Sequence, residues 1–240
     1  MAFSVGFVPG VTPDKWARVW RRRETEELNL SLVDPDDQET ALIEGRHDAC
    51  FVRMPVDRGR LHCIGLYREV PVVVVPLDHP VTAYDEIALA DLAGEQLVQG
   101  DVPQWSEVSA VEQLAFPDMS IKDAIEVVAS GTGIVVVPMS VARLHHRKDV
   151  EHRPVLDLPE TEIGLAWLRD NDDPRIQTFI GIVRGRTDNS SRGERPSGQA
   201  GSGTPAPHGG DAAPRPAPKR KAAQKAADKK ARRRGAGRTR

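Results

Sequence analysis

The chain has 240 residues and a formal net charge of −2, and no apolar run approaches the roughly 18 residues that a membrane-spanning helix needs. Charge is unevenly distributed, because residues 1–190 hold 19 Lys and Arg against 32 Asp and Glu, whereas residues 191–240 hold 14 against 3. The sequence therefore predicts an acidic body followed by a basic tail.

The start of the chain and its two cysteines indicate in which cellular compartment the protein is expected. The opening segment MAFSVGFVPG has no basic stretch before its apolar residues, so it does not resemble a secretory signal peptide, and we expect a cytoplasmic protein. Cys50 and Cys63 lie among apolar residues and are expected to be free thiols, because disulfides are rare in the cytosol. No Cys and His spacing indicates a zinc site, and we expect neither a metal nor a cofactor.

The first part of the body alternates predicted strands with predicted helices. Thr12 followed by Pro13 is a typical helix start, with Thr12 as N-cap and Pro13 as the first helical residue. In chain order the predicted elements are a strand over residues 5–8, a helix over 13–23, a strand over 28–32, a short helix over 36–44 and a strand over 48–52. This order is typical of a parallel, doubly wound sheet.

The rest of the body continues with short strands and helices. The run over residues 70–75 is almost wholly β-branched and ends at Pro76, as a buried strand does. Ser120 is expected to cap one helix, and Asp173 to open the last one. The further predicted elements are strands over residues 61–66, 70–75, 96–99, 134–137 and 163–168 and helices over 87–92, 120–130, 140–144 and 174–183.

The segment VVASGTGIVVVP contains a Gly-x-Gly that suggests a phosphate-binding loop. A dinucleotide loop runs from strand to glycines to helix, so that the phosphates meet a helix N-terminus. Here the order is helix, glycines, strand. Gly131 lies where a helix end favours left-handed backbone, and Gly133 turns the chain into the sheet. We therefore interpret this segment as scaffold.

Five segments occur in an order and at spacings that resemble the effector-binding domain of LysR-type transcriptional regulators. They are VGFVPG, ALIEGRHDACFVR, LYREVPVVVVPLDHP, ALADLAGEQLV and VVASGTGIVVVP. The resemblance covers residues 3–186. It implies the α/β, bilobal fold of type 2 periplasmic binding proteins, in which two crossover strands join two Rossmann-like lobes and a small-molecule effector lies between them.

On this resemblance we expect an effector-binding domain over residues 1–186. One lobe would comprise residues 1–76 and 160–186 and the other residues 77–159, with crossover strands at 72–75 and 163–167. A regulator of this family begins with a winged helix-turn-helix, whereas this sequence begins at the first strand of the effector domain. The region over residues 105–119 is shorter than in the family, so one helix of the second lobe is expected to be trimmed.

The resemblance also implies a homodimer. In the family, effector domains pair side by side, and the first helix and second strand of one subunit meet a helix of the other. On this chain the first helix would present Trp16, Val19 and Trp20, and the partner's helix would be the one over residues 120–130.

The turn after the first strand is the first candidate ligand site. Gly10, Val11 and Thr12 precede a helix N-terminus, where free N–H groups can bind a carboxylate. The sequence looks most like the family branch that responds to acids such as muconate and benzoate, in which a serine stands at the position of Gly10. Only backbone donors and the Thr12 hydroxyl would remain here. An ordinary strand-to-helix turn is the alternative.

Four further residues complete the candidate ligand site. Arg53 ends the third strand, and the matching Arg of that branch contacts the ligand through its planar fork; a salt bridge is the alternative. Gln99, Pro103 and Trp105 follow the strand over residues 96–98 and enter the cleft loop of the second lobe, where a proline and an aromatic residue of relatives line the effector site. Trp105 can stack on an aromatic ligand, or pack inside the second lobe instead.

The residues after 186 form two predicted segments. Residues 187–218 are rich in Ser, Gly, Pro and Ala and read as a disordered linker, and residues 219–240 read as a basic Lys/Ala/Arg tail. Such tails bind the phosphates of DNA without sequence choice, or serve as solubilising or self-docking segments. The candidate nucleic-acid-binding residues are Lys219, Arg220, Lys221, Lys225, Lys229, Lys230, Arg232, Arg233 and Arg234.

Four functions remain open at this point. The favoured one is a LysR-like effector-binding protein acting in transcriptional regulation. A solute-binding protein of the same fold is a second, although no signal peptide is evident. An enzyme is a third, but no catalytic constellation is recognisable, and His145-His146 reads as surface. The fourth is a degenerate, ligand-free interaction module, which Gly10 and Pro35 favour because polar contacts of the relatives are missing there.

Overall fold

The computed structural model of the protein describes residues 2–100 and 102–185. The predicted linker and tail, residues 187–240, lie outside these residues. The described strands are β1 (Phe3–Phe7), β2 (Leu28–Leu32), β3 (Ala49–Arg53), β4 (Leu61–Glu69), β5 (Pro71–Pro76), β6 (Leu97–Gln99), β7 (Ile134–Pro138), β8 (Val150–Pro154) and β9 (Thr161–Leu168). The α-helices are α1 (Asp14–Arg23), α2 (Gln38–Ile43), α3 (Trp105–Val108), α4 (Ile121–Ala129), α5 (Met139–Leu144) and α6 (Pro174–Val183). Short 3-10 helices cover Pro35–Asp37, Pro80–Ala83 and Leu89–Leu92.

The strands form two separate sheets, one in each lobe. The first has the order β2-β1-β3-β9-β4, with β1, β2 and β3 parallel and β9 antiparallel to both of its neighbours. The second has the order β6-β7-β5-β8, with β6 and β7 parallel and β5 antiparallel to β7 and β8. The predicted α/β fold with two lobes is thereby confirmed.

The first lobe buries both faces of its sheet. Along β3 successive side chains point to opposite faces, so Phe51 joins the cluster under α1 and α6 while Cys50 joins the cluster under α2. Phe179 of α6 makes edge contacts with Phe51 and with Phe3 at ring distances of 5.9 and 5.7 Å. Each such buried aromatic contributes about 1.5–3 kcal/mol to folding. The near-continuous apolar run of β3 agrees with this two-sided burial.

The second lobe repeats that arrangement with alternating valines. Val72 and Val74 of β5 pack under α4 and α5, whereas Val73 and Val75 pack on the opposite face with the 3-10 helix Leu89–Leu92. Ser120 caps α4, as predicted, because its hydroxyl accepts a hydrogen bond from the Asp123 N–H. Residues 109–120 contain no helix, so the only helix after β6 and before α4 in the described chain is the four-residue α3.

The chain passes between the lobes through two links, of which the first lies away from the expected boundary, and neither link is one of the expected crossover strands. The expected boundary at residue 76 puts β5 in the first lobe, but β5 pairs with β7 and β8 and is the centre of the second sheet. The first crossing is therefore the short link from Glu69 to Pro71. The second runs from the end of β8 to the start of β9, at Thr161. Hydrogen bonding within each sheet, which the apolar pattern cannot reveal, sets these positions.

One local prediction was wrong, and one strand was missed. Helix α1 begins at Asp14, with Pro13 rather than Thr12 as its N-cap, because the Pro13 carbonyl accepts from the N–H groups of Trp16 and Ala17. The strand β8 was not predicted, since VEHRP has no apolar run. It is an edge strand that exists through its hydrogen bonds with β5 rather than through its own burial.

The segment around Gly131 and Gly133 links α4 to β7. Gly131 follows the helix with φ 87°, and Gly133 enters the strand with φ 72°, both in the left-handed region. A Cβ on Gly133 would overlap the carbonyl oxygen of Gln96, whereas a Cβ on Gly131 would meet nothing within 4 Å. Gly133 therefore allows the close approach of backbone to backbone beside β6, and the segment is scaffold.

Gly133→Ala is expected to destabilise the chain more than the matched variant Gly131→Ala. Both variants place alanine in left-handed backbone, which costs about 1–2 kcal/mol, and only Gly133→Ala adds a clash with rigid backbone. Urea unfolding of the two proteins measures the difference. Equal free energies of unfolding would contradict the role assigned to Gly133.

Candidate functional site

Two cavities lie along the seam between the lobes, where the ends of parallel strands from both sheets meet. The first cleft cavity has a volume of about 940 Å³ and is lined, among others, by Gly10, Val11, Thr12, Glu69, Met139 and Ser140. The second cleft cavity has a volume of about 530 Å³ and is lined, among others, by Met54, Pro55, Val102, Pro103, Pro138 and Glu162. Crevices at the carboxyl ends of strands are the usual ligand sites of open α/β sheets.

The turn after β1 lines the first cleft cavity, and its three residues have different roles. The Val11 N–H is already bonded to the Val8 carbonyl at 3.2 Å, so it is not the free donor that the turn suggested. The N–H groups of Gly10 and Thr12 and the Thr12 hydroxyl have no hydrogen-bond partner among the described residues. These two amides and one hydroxyl are the polar groups that this turn can offer a ligand.

At this turn the two lobes touch. Gly10 has φ 93°, and a Cβ there would overlap the hydroxyl of Ser140 at the start of α5 and lie 2.9 Å from its Cβ. The Ser140 oxygen is buried and has no hydrogen-bond partner in the described chain. The second lobe thus brings a hydroxyl into the space that a side chain at residue 10 would fill. A larger residue at position 10 would therefore require Ser140 or the backbone beside it to move.

Arg53 does not line either cavity but lies between them. Its guanidinium donates to the Glu69 carboxylate at 2.8 Å and to the Pro9 carbonyl at 3.0 Å, and the Glu69 side chain is only 5% exposed. The Gln38 side chain holds the backbone of Arg53 at both its N–H and its C=O. Arg53 therefore ties the end of β3 to the β1 turn and to the first crossing between the lobes.

The three candidate ligand residues of the second lobe lie in different surroundings. Pro103 lines the second cleft cavity, as a wall residue would. Gln99 donates to the Met119 carbonyl at 2.7 Å and lines neither cavity. Trp105 is 8% exposed and packs in the lobe's own apolar cluster, so the described structure gives it a packing role. The predicted ligand residues thus do not share one cavity, because the β1 turn lines the first, Pro103 lines the second, and Gln99 and Trp105 line neither.

A group of cations in the first cleft cavity was not predicted from the sequence. Lys15 and Arg18 come from α1, Arg68 from β4 and Arg143 from α5. The spacing of Lys15 and Arg18 on one helix was visible in the sequence. The other two join them only because the chain folds three elements from two lobes around one cavity. The second cleft cavity, by contrast, is lined by two acids, Glu160 and Glu162, and by no cation.

A third cavity, of about 950 Å³, lies within the second lobe away from the strand ends at the seam. Ser130 and Gly131 line it together with Arg147, whose guanidinium already pairs with Asp149 and Glu126. The Gly-rich segment thus borders a cavity, but its nearest arginine is neutralised. We assign no ligand to this cavity.

The described residues give little support for a metal site, a membrane-spanning helix or a nucleophilic cysteine. No three His, Cys, Asp or Glu side chains there are grouped as a metal site would require. Within the same residues, none of the helices has the length and apolar character to span a bilayer. Burial raises the pKa of Cys50 to about 12 and also raises the pKa of Cys63, so neither thiol is an activated nucleophile.

Arg53→Met is expected to lower the free energy of unfolding by about 3 kcal/mol, because it leaves the buried Glu69 carboxylate without its partner. The double variant Arg53→Met, Glu69→Met removes both charges and is expected to recover most of that loss. Urea denaturation of the two proteins provides the comparison. If the single and double variants were equally destabilised, the ion pair would not be what holds Arg53.

Comparison with known proteins identifies the family. The LysR substrate binding domain matches residues 1–188. The HTH-type transcriptional regulator CatR of Pseudomonas putida is 34% identical over 196 residues, which cover 75% of this chain and 67% of that protein. The Hca operon transcriptional activator HcaR of Escherichia coli is 26% identical over 199 residues, which cover 76% and 67%. The chain thus spans about two thirds of the length of these regulators.

Solved structures share the fold. The reduced OxyR regulatory domain from Pseudomonas aeruginosa superposes with a TM-score of 0.61 at 24% identity and covers 76% of this chain and 96% of that one. The effector binding domain of a BenM variant superposes with a TM-score of 0.63 at 23% identity and covers 77% and 93%. With residues 1–188 matched, the chain belongs to the LysR substrate-binding domain family, whose members CatR and HcaR are transcriptional regulators.

Proposed function

We propose that this chain senses a small carboxylate or aromatic molecule in the first cleft cavity and passes that signal to transcription from the cytoplasm, without catalysing a reaction. The proposal is supported mainly by polar groups that both lobes bring to this cavity and that have no hydrogen-bond partner among the described residues. Gly10 and Thr12 contribute amides and a hydroxyl from the first lobe, and Ser140 contributes a buried hydroxyl from the second.

The signal would be a change in the angle between the lobes. A ligand that bonds to Thr12 and Ser140 together has contacts on both sides of the seam, so it binds one lobe arrangement better than others and shifts the population toward it. Only the two short crossings between β4 and β5 and between β8 and β9 connect the sheets covalently. Arg53 acts here as a positioning residue, because it fixes the β1 turn through Pro9 and the crossing through Glu69.

Thermal unfolding against benzoate, muconate and other small organic acids tests the proposed function. A ligand that binds only the folded state raises the melting temperature, by an amount that grows with its concentration. Thr12→Val is expected to reduce the shift, because it removes a hydroxyl from the cavity. The matched control Thr40→Val lies on the exposed side of α2, away from the cleft, and is expected to leave the shift unchanged.

If no acid changed the melting temperature, the sensor would be ruled out in favour of a ligand-free interaction module. One observation favours that alternative: the Arg expected to bind a carboxylate is already occupied by Glu69. A solute-binding protein of the same fold would also bind a ligand in the cleft. Only the sensor requires that binding change a transcriptional readout, so a reporter assay with the binding acid separates the two.

We propose that the chain forms a homodimer, as expected from the family. The contact predicted for α1 needs correction, because Trp16 stacks on Phe51 and Trp20 on Phe3 inside the same subunit. Val19 is half-buried and remains accessible, as does Leu32 at the end of β2, which is 64% exposed. Sedimentation velocity on the full chain measures the association directly.

The basic tail over residues 219–240 is proposed to bind DNA through its phosphates. Counterion release predicts affinity that does not depend on sequence and falls steeply with salt. DNA binding of the full chain is therefore expected to exceed that of a chain ending at residue 186 at low salt, as measured by fluorescence anisotropy. If the two proteins bound DNA with equal affinity, the tail would make no contribution to DNA binding.

A further inference from the structure

The first cleft cavity concentrates positive charge in a body that is otherwise acidic. Residues 1–190 hold 32 acidic against 19 basic side chains, yet four cations line this one cavity. They come from both lobes: Lys15, Arg18 and Arg68 from the first, and Arg143 from the second. Like charges gathered in one cavity repel each other, so such a cluster favours an anion between them.

These cations are not neutralised by the protein. The side chains of Arg18, Arg68 and Arg143 form no hydrogen bond or ion pair with any residue that the structure describes, and Lys15 contacts only the face of Trp16, at 4.2 Å. Three guanidinium groups with free planar forks are suited to carboxylate or phosphate oxygens.

The acids that line the cavity do not offset this charge. Glu69 is one of them, but its carboxylate is already bonded to Arg53 at 2.8 Å, so that pair carries no net charge. Asp14 is the other, and it is exposed at the start of α1. Four cations against one unpaired acid leave the cavity with a surplus of positive charge.

The walls of the cavity also include exposed apolar side chains. Tyr67 and Val70 are each 37% exposed, and Leu144 is 55% exposed, although all three are of the kind that folding usually covers. Partial burial raises the pKa of the Tyr67 hydroxyl, so this group is a neutral hydrogen-bond donor. The volume of about 940 Å³ has room for a ligand with several charged groups beside an apolar one.

We propose that the first cleft cavity is selective for a compact polyanion that carries an apolar group, with its charged groups held by Arg18 and Arg68 of one lobe and Arg143 of the other. This inference deepens the proposed function and rests on it, because it names the ligand class of the same cavity. The charge that draws the ligand comes from α1, β4 and α5, whereas Arg53 contributes none.

Isothermal titration calorimetry of the full chain tests the proposal with four probes that differ in charge, in aromatic character and in the type of anionic group. Benzoate is an aromatic monoanion, 1,2,4-benzenetricarboxylate an aromatic polyanion, citrate a non-aromatic polyanion, and inorganic pyrophosphate a polyanion with phosphate groups. The tricarboxylate is expected to bind at least tenfold more tightly than benzoate and more tightly than citrate. Comparison of citrate with pyrophosphate tells whether carboxylate or phosphate is preferred.

Charge-removing variants locate the site. Arg68→Gln and Arg143→Gln are each expected to weaken the tricarboxylate about tenfold, as the loss of a charge-assisted hydrogen bond does, and to leave benzoate nearly unchanged. Arg60→Gln is the matched control, because Arg60 is an exposed arginine outside the cavity lining. All three side chains are exposed, so unchanged urea midpoints serve as the check that each variant folds.

The outcomes separate the two claims. If benzoate and the tricarboxylate bound equally well, or if Arg68→Gln and Arg143→Gln matched the control, polyanion selectivity would be overturned while the sensor function stood. If the tricarboxylate bound tightly and lost affinity in both variants, the selectivity would be established. If that binding did not depend on Thr12 and altered no transcriptional readout, the proposed sensor function would fail and the polyanion site would remain.

Discussion

The insertion of β9 between β3 and β4 is the constraint on which the arrangement of the molecule depends. This strand follows the whole second lobe in sequence, yet it forms hydrogen bonds with two strands of the first sheet. The chain must therefore leave the first sheet after Glu69 and return at Thr161. Because β5 is placed in the same way at the centre of the second sheet, the carboxyl ends of the parallel strands in both sheets face one seam.

The sequence alone was enough to predict the elements that bury apolar side chains on both faces, and the local signals at their ends. The β-branched run of β5, the cap at Ser120 and the glycines after α4 each have a local cause, and each prediction agrees with the structure. The edge strand β8 has no such local cause, because its hydrogen bonds with a partner distant in sequence create it. The same holds for the lobe boundary, which depends on the sheet that pairs with β5.

The candidate site was harder to predict for a related reason. Arg53 was correctly placed at the end of β3, but its partner Glu69 lies 16 residues further along, on a strand that β9 separates from β3. For Trp105 the sequence left open whether it stacks on a ligand or packs inside the second lobe, and the structure holds it in an apolar cluster of that lobe. Side chains that meet across three elements, as Arg18, Arg68 and Arg143 do, leave no pattern in a single stretch of sequence.

The contact between Gly10 and Ser140 makes residue 10 a position at which one side chain bears on how the lobes meet. A Cβ there would overlap the Ser140 hydroxyl and lie 2.9 Å from the Ser140 Cβ, so the turn after β1 and the start of α5 come this close because residue 10 is a glycine. A larger residue would require Ser140 or the backbone beside it to move, which links the size of this one position to the shape of the cleft.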